Sequence, residues 1–171
     1  MAQIINFNRL SYLLILKRYV ARAILQNPNA SIQIASRSGS ISSELTSLGS
    51  QVLPPVSLDI ASKSQLQSLL SSGNFTGVVN LVGIMMESKS NTFSKSQLEG
   101  PIHLAQLCST LTGITKLIHV SAIGANSQSS IPYARTKGLA ELEMSKILGS
   151  KSVILRPSLV FGKEDDFFNV K

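Results

Sequence analysis

The sequence predicts a doubly wound α/β domain built on a parallel sheet, and three observations predict it. Short apolar runs of about six residues alternate with amphipathic stretches of roughly 10 to 16, the rhythm of βαβ units. Two of the runs are largely apolar without alternation, as expected of strands buried on both faces of a sheet. At 171 residues, with 43% hydrophobic and 15% charged residues, the chain is the size of one globular domain with a real core.

The elements follow in order. Ser11–Leu25 (SYLLILKRYVARAIL) has apolar periodicity and no Gly or Pro, which predicts one uninterrupted helix. Gln26–Ala30 (QNPNA) is a turn by composition, and Ser31–Ser36 (SIQIAS) alternates with period two as a strand. A serine-rich loop leads to Gln51–Ile60, which holds a short strand ending near Asp59. In Ser62–Ser72 leucines recur at helical spacing behind a serine able to cap. Thr76–Met85 (TGVVNLVGIM) and Gly113–Gly124 (GITKLIHVSAIG) are the two buried strands. Between them Lys95–Leu111 is helical, with Gly100–Pro101 placed to kink it. Tyr133–Leu148 is the clearest amphipathic helix, and Lys151–Gly162 a last strand leading into a loop. Asp165 and Asp166 read as a solvated acidic turn.

Composition excludes several functions. The chain has 16 Lys+Arg against 9 Asp+Glu, but the charges are scattered and aromatics make up 5%, so no basic stripe with stacking residues points to nucleic acid. One cysteine, Cys108, rules out a disulfide framework and reads as a buried thiol in a reducing compartment. With two histidines, His103 and His119, no ligand set for a metal is expected. No run reaches the roughly 18–20 apolar residues of a transmembrane helix. Residues 1–43 carry basic side chains and no acidic one, a pattern that fits either an organellar targeting segment or a helix lying on a sheet.

The chemistry-bearing pattern is Tyr133-x-x-x-Lys137, two residues on one helical face. A lysine ammonium beside a phenol favours phenolate and suits the phenol to proton transfer with a substrate hydroxyl or carbonyl. Ser121 ends the preceding strand, where its hydroxyl can hold the same substrate oxygen; the plain alternative is a strand-end cap. One helix and one strand after the Tyr–Lys pair comes LRPSLVFG (Leu155–Gly162), for which an ordinary strand exit is the alternative.

This ordered set resembles the short-chain dehydrogenase/reductase superfamily, in its extended or atypical, epimerase/dehydratase-like branch. With VVNLVGIMMES, LIHVSAIGAN, YARTKGLAE and LRPSLVFGKEDDFFN, it looks most like the nucleotide-binding accessory subunits of respiratory complex I and their bacterial relatives, from about Arg18 to Asn169. The resemblance implies a Rossmann-like fold, a nicotinamide dinucleotide as cofactor and complex I subunits as partners. It implies Ser121, Tyr133 and Lys137 as the catalytic set. Cofactor contacts would come from Asp59 and Ile60 at the adenine edge, Gly83 beside the ribose, Lys137 on the nicotinamide ribose, and Pro157. Arg37 stands where an acidic residue would bind the ribose 2′-hydroxyl of NAD, so NADP is expected, with NAD the alternative. A solvated turn residue remains the plain reading of Arg37, and a helix N-cap that of Asp59.

The resemblance stops before Arg18. Members of the family carry a G-G-x-G-F-x-G turn there, whereas the first glycine of this chain is Gly39, and Leu14, Ile15, Leu16 and Lys17 precede Arg18. Such glycines make the tight turn, admit the pyrophosphate to the backbone and let helix and strand approach closely. Residues 1–17 are therefore expected to be a divergent segment and 18–171 an incomplete dinucleotide-binding domain, with the first strand and glycine loop missing or replaced. Either IINF or YLLIL can substitute as a strand, but neither leaves room for a loop before Arg18. The expected protein is a fragment with impaired cofactor binding. Two function classes stay open: a structural subunit of the complex I type, and an active NAD(P)-dependent sugar-nucleotide epimerase, dehydratase or reductase. The expected location is a bacterial cytoplasm, peripheral at the inner membrane, with the mitochondrial matrix as the alternative.

Overall fold

The computed structural model describes residues 2–7 and 14–161. Six parallel strands form one sheet in the order β3-β2-β1-β4-β5-β6. They are β1 Ala2–Phe7, β2 Ser31–Ser36, β3 Val52–Ser57, β4 Phe75–Asn80, β5 Lys116–Val120 and β6 Ser152–Leu155. The helices are α1 Leu14–Leu25, α2 Ser43–Thr46, α3 Lys63–Ser71, α4 Gly100–Thr110 and α5 Pro132–Leu148. The doubly wound class stands.

The expected gap at the centre of the sheet does not occur. Ala2–Phe7, which contains IINF, lies between β2 and β4 and pairs in parallel with both, Ile5 opposite Ile34 on one side and Val79 on the other. The strand ends six residues before α1 begins, so the chain does have length for a connection, contrary to the sequence expectation. Residues 8–13, which make that connection, and with them the first three positions of the helix expected over Ser11–Leu25, lie outside the described residues. So does the acidic turn at Asp165 and Asp166. The boundary drawn at residue 17 falls inside α1.

Side chains alternate across the sheet and so feed two cores. On one face Val78 and Leu117 pack with Leu66, Leu69, Leu104, Cys108, Met144 and Leu148 from α3, α4 and α5. On the other, Ile32, Ile34, Val79 and Val120 pack with Ala21 of α1 and Leu45 of α2. Cys108 is buried as expected, and desolvation pushes its thiol up to about 12. Pro54 and Pro55 sit in β3, an edge strand, where a missing backbone donor is tolerated.

Ser62 caps α3 by accepting from the Gln65 amide at 3.4 Å. The helix expected over Lys95–Leu111 is two kinds of helix: a π-helical segment, Ser94–Glu99, continues into α4 at the Gly100–Pro101 step. A proline that cannot donate to the preceding turn explains why the hydrogen-bond pattern changes there.

Candidate functional site

Parallel strands bring the ends of β1, β4 and β5 to one rim, at the point where the strand order reverses. On the α3–α5 face of that rim stand the three expected catalytic residues. Ser121 follows β5 directly, its backbone N–H donating to the Leu155 carbonyl at 2.8 Å. Its Oγ is buried and has no hydrogen-bond partner among the described residues. Lys137, 2% exposed, is one helical turn after Tyr133 on α5, and its Nζ donates to the Val120 carbonyl at 3.2 Å. That Nζ also lies 5.8 Å from the centre of the Tyr133 ring. Phe93 meets the same ring edge-to-face, centroids 5.8 Å apart, which fixes its plane.

Gly138 explains how the loop after Ser121 reaches this helix. A Cβ at Gly138 would stand 2.3 Å from the Ser127 nitrogen and 2.5 Å from the Asn126 carbonyl carbon, so backbone lies directly on the helix. The Asn126 amide in turn donates to the Ala134 carbonyl at 3.0 Å. At the far side, Arg156 forms a bidentate ion pair with the buried Glu141 of α5 and fixes the exit of β6. Pro157 follows, its carbonyl accepting from the Ile123 amide at 2.9 Å.

The electrostatics differ from the sequence expectation. The phenol of Tyr133 is raised above its ordinary value by burial. Lys137 itself is lowered to about 8 by desolvation, opposed by Glu141 one turn further on. Tyr133 is therefore a neutral hydrogen-bond donor and acid here, not a standing phenolate.

The remaining expected contacts are spread along the rim. Arg37 lies in the turn just after β2, its carbonyl accepting from Ser57 Oγ at 3.0 Å. Asp59 is exposed and is not the cap of α3; its Oδ1 accepts from the Ala61 amide at 3.0 Å in a local turn, leaving the capping to Ser62. Ile60 is buried against Gly100, where a Cβ would come within 2.8 Å of it. Gly83 lies not at the end of a strand but three residues beyond β4.

Three further polar residues bear on the site. Asn80 Oδ1 accepts from the Val82 amide at 3.0 Å, so its Nδ2 donates to His119 Nδ1, also at 3.0 Å. That pair holds the backbone entering Gly83 and places the histidine proton on Nε2. Burial, with Lys137 nearby, lowers His119 to about 3 and keeps it neutral. Gln97, in the π-helical segment packed on α5, is buried with no partner for its amide among the described residues. Polar side chains opposite each other in two apolar strands were the signal for the Asn80–His119 pair; nothing in the sequence marks the π-helical segment.

On the other face of the rim stands Lys17, also 2% exposed. It precedes by one turn Ala21, which packs on the sheet, so both share the inward face of α1. Desolvation lowers its ammonium to about 7.

On the α5 side of the rim, Lys137 links the Val120 carbonyl, next to Ser121 in the chain, to the neighbourhood of the Tyr133 ring. No metal-binding cluster of His, Cys, Asp or Glu occurs among the described residues.

No family model matches the chain. Among curated proteins it is 32% identical over 111 residues to the NADH dehydrogenase [ubiquinone] 1 alpha subcomplex subunit 9 of Mus musculus, covering 65% of this chain and 28% of that protein. The Dictyostelium discoideum subunit of the same name is 29% identical over 115 residues, covering 67% and 31%. The chain thus spans less than a third of the length of these relatives. Among solved structures it resembles the UDP-glucuronic acid 4-epimerase of Bacillus cereus, crystallised with NAD, with a TM-score of 0.72 at 19% identity over 97% of this chain and 60% of that one. The dTDP-glucose 4,6-dehydratase of Bacillus anthracis, also with NAD, gives 0.73 at 15% identity over 96% and 57%. The chain accordingly has the fold of these epimerases and dehydratases and a sequence similar to part of the complex I alpha subcomplex subunit 9.

Proposed function

We propose that the protein binds a nicotinamide dinucleotide, NADP in preference to NAD, and that the bound nucleotide stabilises a component of a complex I-type respiratory assembly. The observation that carries this reading is the position of Lys137 at the rim where the strand order reverses, donating to the Val120 carbonyl beside Ser121 and standing 5.8 Å from the Tyr133 ring. Arg37, just beyond β2, supports NADP, because a guanidinium there pairs with a 2′-phosphate. Asp59, Ile60, Gly83 and Pro157 are the proposed backbone and side-chain neighbours of the rest of the cofactor. The names of the sequence relatives, mitochondrial NADH dehydrogenase subunits, support the assembly; its proposed place is the matrix side of the inner membrane, or the cytoplasmic side in a bacterium. No described helix is long and apolar enough to cross a membrane.

Catalysis is the second reading, favoured by the retained Ser–Tyr–Lys set. The phenol held protonated supports a structural role over a base, while an acid role stays open to it. When bound, a nicotinamide ring supplies hydride transfer; the residues of this chain supply only orientation and a proton from Tyr133.

Titration calorimetry and thermal shift with NADP and NAD test the proposal. Stabilisation by NADP exceeding that by NAD is expected, with Arg37→Ala erasing the difference. Failure of both dinucleotides to raise Tm at millimolar concentration would refute it.

A further inference from the structure

The sheet has two edges, and they are built differently. β3 ends it on one side, with Pro54 and Pro55 in the strand and a break of register against β2 between Gln33 and Ala35. Prolines and bulges keep an edge from recruiting a further strand. β6 ends it on the other side as Ser-Val-Ile-Leu, without proline, charge or register shift, each residue paired in turn with β5. Hydrogen bonds fix which of its backbone groups face outward. The Leu155 and Pro157 carbonyls accept from the Ser121 and Ile123 amides at 2.8 and 2.9 Å, so these residues and Val153 turn their backbone groups to β5. Ser152, Ile154 and Arg156 have the opposite parity and turn theirs away from the sheet, where no strand follows among the described residues. Val153 stands opposite Ile118 and Leu155 opposite Val120, so both side chains lie on the α1–α2 face. Helix α1 packs on β1 and β2, and Val153 and Leu155 stay 37% and 50% exposed.

We propose that β6 is a self-association edge, on which a second copy of this chain lays its own β6 antiparallel about a two-fold axis at Ile154. Residues opposite each other in a sheet share a face, which restricts the pairing to residues of equal parity. With Ile154 on the axis, Ile154 meets its own copy and Ser152 meets Arg156 as hydrogen-bonded pairs, through the outward groups. Between them Val153 meets the second copy's Leu155 in a non-hydrogen-bonded pair, where Cα atoms stand about 4.5 Å apart and side chains are closest. The same apolar contact forms on each side of the axis. Closure favours a second copy over a foreign strand. The two-fold consumes both β6 edges and leaves the joined sheet with β3 at each end, the edge that carries the prolines. A foreign strand would only move the open edge outward. Area sets the strength: four residues a side bury less than the about 800 Å² per partner of a standard stable interface, so the dimer is reversible, in the micromolar range. No side chain of Ser121, Tyr133 or Lys137 takes part, and the inference is independent of the dinucleotide reading.

Sedimentation equilibrium of the full chain across roughly 1–100 μM, with melting temperatures alongside, tests it. Wild type should pass from one copy to two. Leu155→Lys, at an exposed position, should keep Tm and raise the dissociation constant by about tenfold or more, because it sets an ammonium against the second copy's Val153. Ile154→Pro removes only an outward amide and should also give monomer; should it lower Tm sharply, Leu155→Lys alone decides. On oxidation, a mixture of Val153→Cys and Leu155→Cys should crosslink and neither alone should, since like positions lie beyond disulfide reach. A wild type that stays monomeric throughout overturns the proposal and leaves the edge to a strand of another protein. A dimer untouched by Leu155→Lys, or crosslinking as strong in either cysteine variant alone, overturns it as well.

Discussion

The two halves of the rim are built alike and equipped differently. In the β5–α5 half, Lys137 donates to a strand-end carbonyl, stands near the Tyr133 ring and has Glu141 one turn further on. In the β1–α1 half, the strand occupies its central place and the helix packs on the sheet, yet the sequence between them has no glycine and the fourth residue of the helix is the buried Lys17. The first half carries the Ser121, Tyr133 and Lys137 pattern on its fold; the second has the fold without the glycines. Strand position follows from parallel pairing and apolar faces, which Ala2–Phe7 satisfies in register with both neighbours.

The largest effect should come from breaking the better-equipped half. Gly138→Val puts a Cβ against the Ser127 and Asn126 backbone, with no flexible side chain able to give way. Helix and loop must part, at a cost of about 3 kcal/mol or more. The measurement is chemical denaturation, and an unchanged midpoint would mean that this loop does not define the Ser121 side of the rim.

A smaller effect compares the two lysines directly. Both have folded pKa values below the unfolded value of 10.5, at about 7 for Lys17 and about 8 for Lys137. Between pH 7 and 9 the unfolded chain therefore holds more protons than the native one, and stability rises with pH. Above pH 9 the gain slackens as the Cys108 thiol, raised to about 12, and the raised Tyr133 phenol begin to favour the unfolded state, and it reverses only as the unfolded lysines lose their own protons towards 10.5. The gain from pH 7 to 9 should be about 2 kcal/mol from Lys17 and about 1 from Lys137. Thermal melts at half-unit pH steps should flatten more in Lys17→Met than in Lys137→Met. Equal slopes in the two variants would erase the distinction between the halves.

The same contrast explains what could be read from the sequence. β2, β4, β5 and α5 are legible because period-two or continuous apolar runs are bounded by turn residues, and Ser121, Tyr133 and Lys137 because their order along those elements is distinctive. β1 was harder, since its usual signal is the glycine turn after it; without glycines, Ala2–Phe7 merges with the apolar start of α1. Lys17 reads in the sequence as one more large residue filling a glycine position. Only the burial of Ala21 one turn on reveals that it faces the sheet. The phenolate expected at Tyr133 failed for a similar reason: spacing places an ammonium near the ring, but desolvation is invisible until the fold is known.

The smallest effect on stability belongs to Ser121, and it sharpens the comparison. Its Oγ is buried without a partner among the described residues, so the folded protein bears the desolvation of a hydroxyl and gains no bond for it. Ser121→Ala removes that burden while leaving a methyl group of nearly the same shape. Stability should therefore change by less than about 0.5 kcal/mol, or rise slightly, instead of falling as it does when a satisfied hydrogen bond is cut. Binding should move the other way, because the hydroxyl retained at the rim has a use only when a ligand reaches it. Paired denaturation and NADP titration of Ser121→Ala read both. A loss of 1 kcal/mol or more in stability, with binding unchanged, would make Ser121 a structural cap of β5 and leave Tyr133 and Lys137 without their third member.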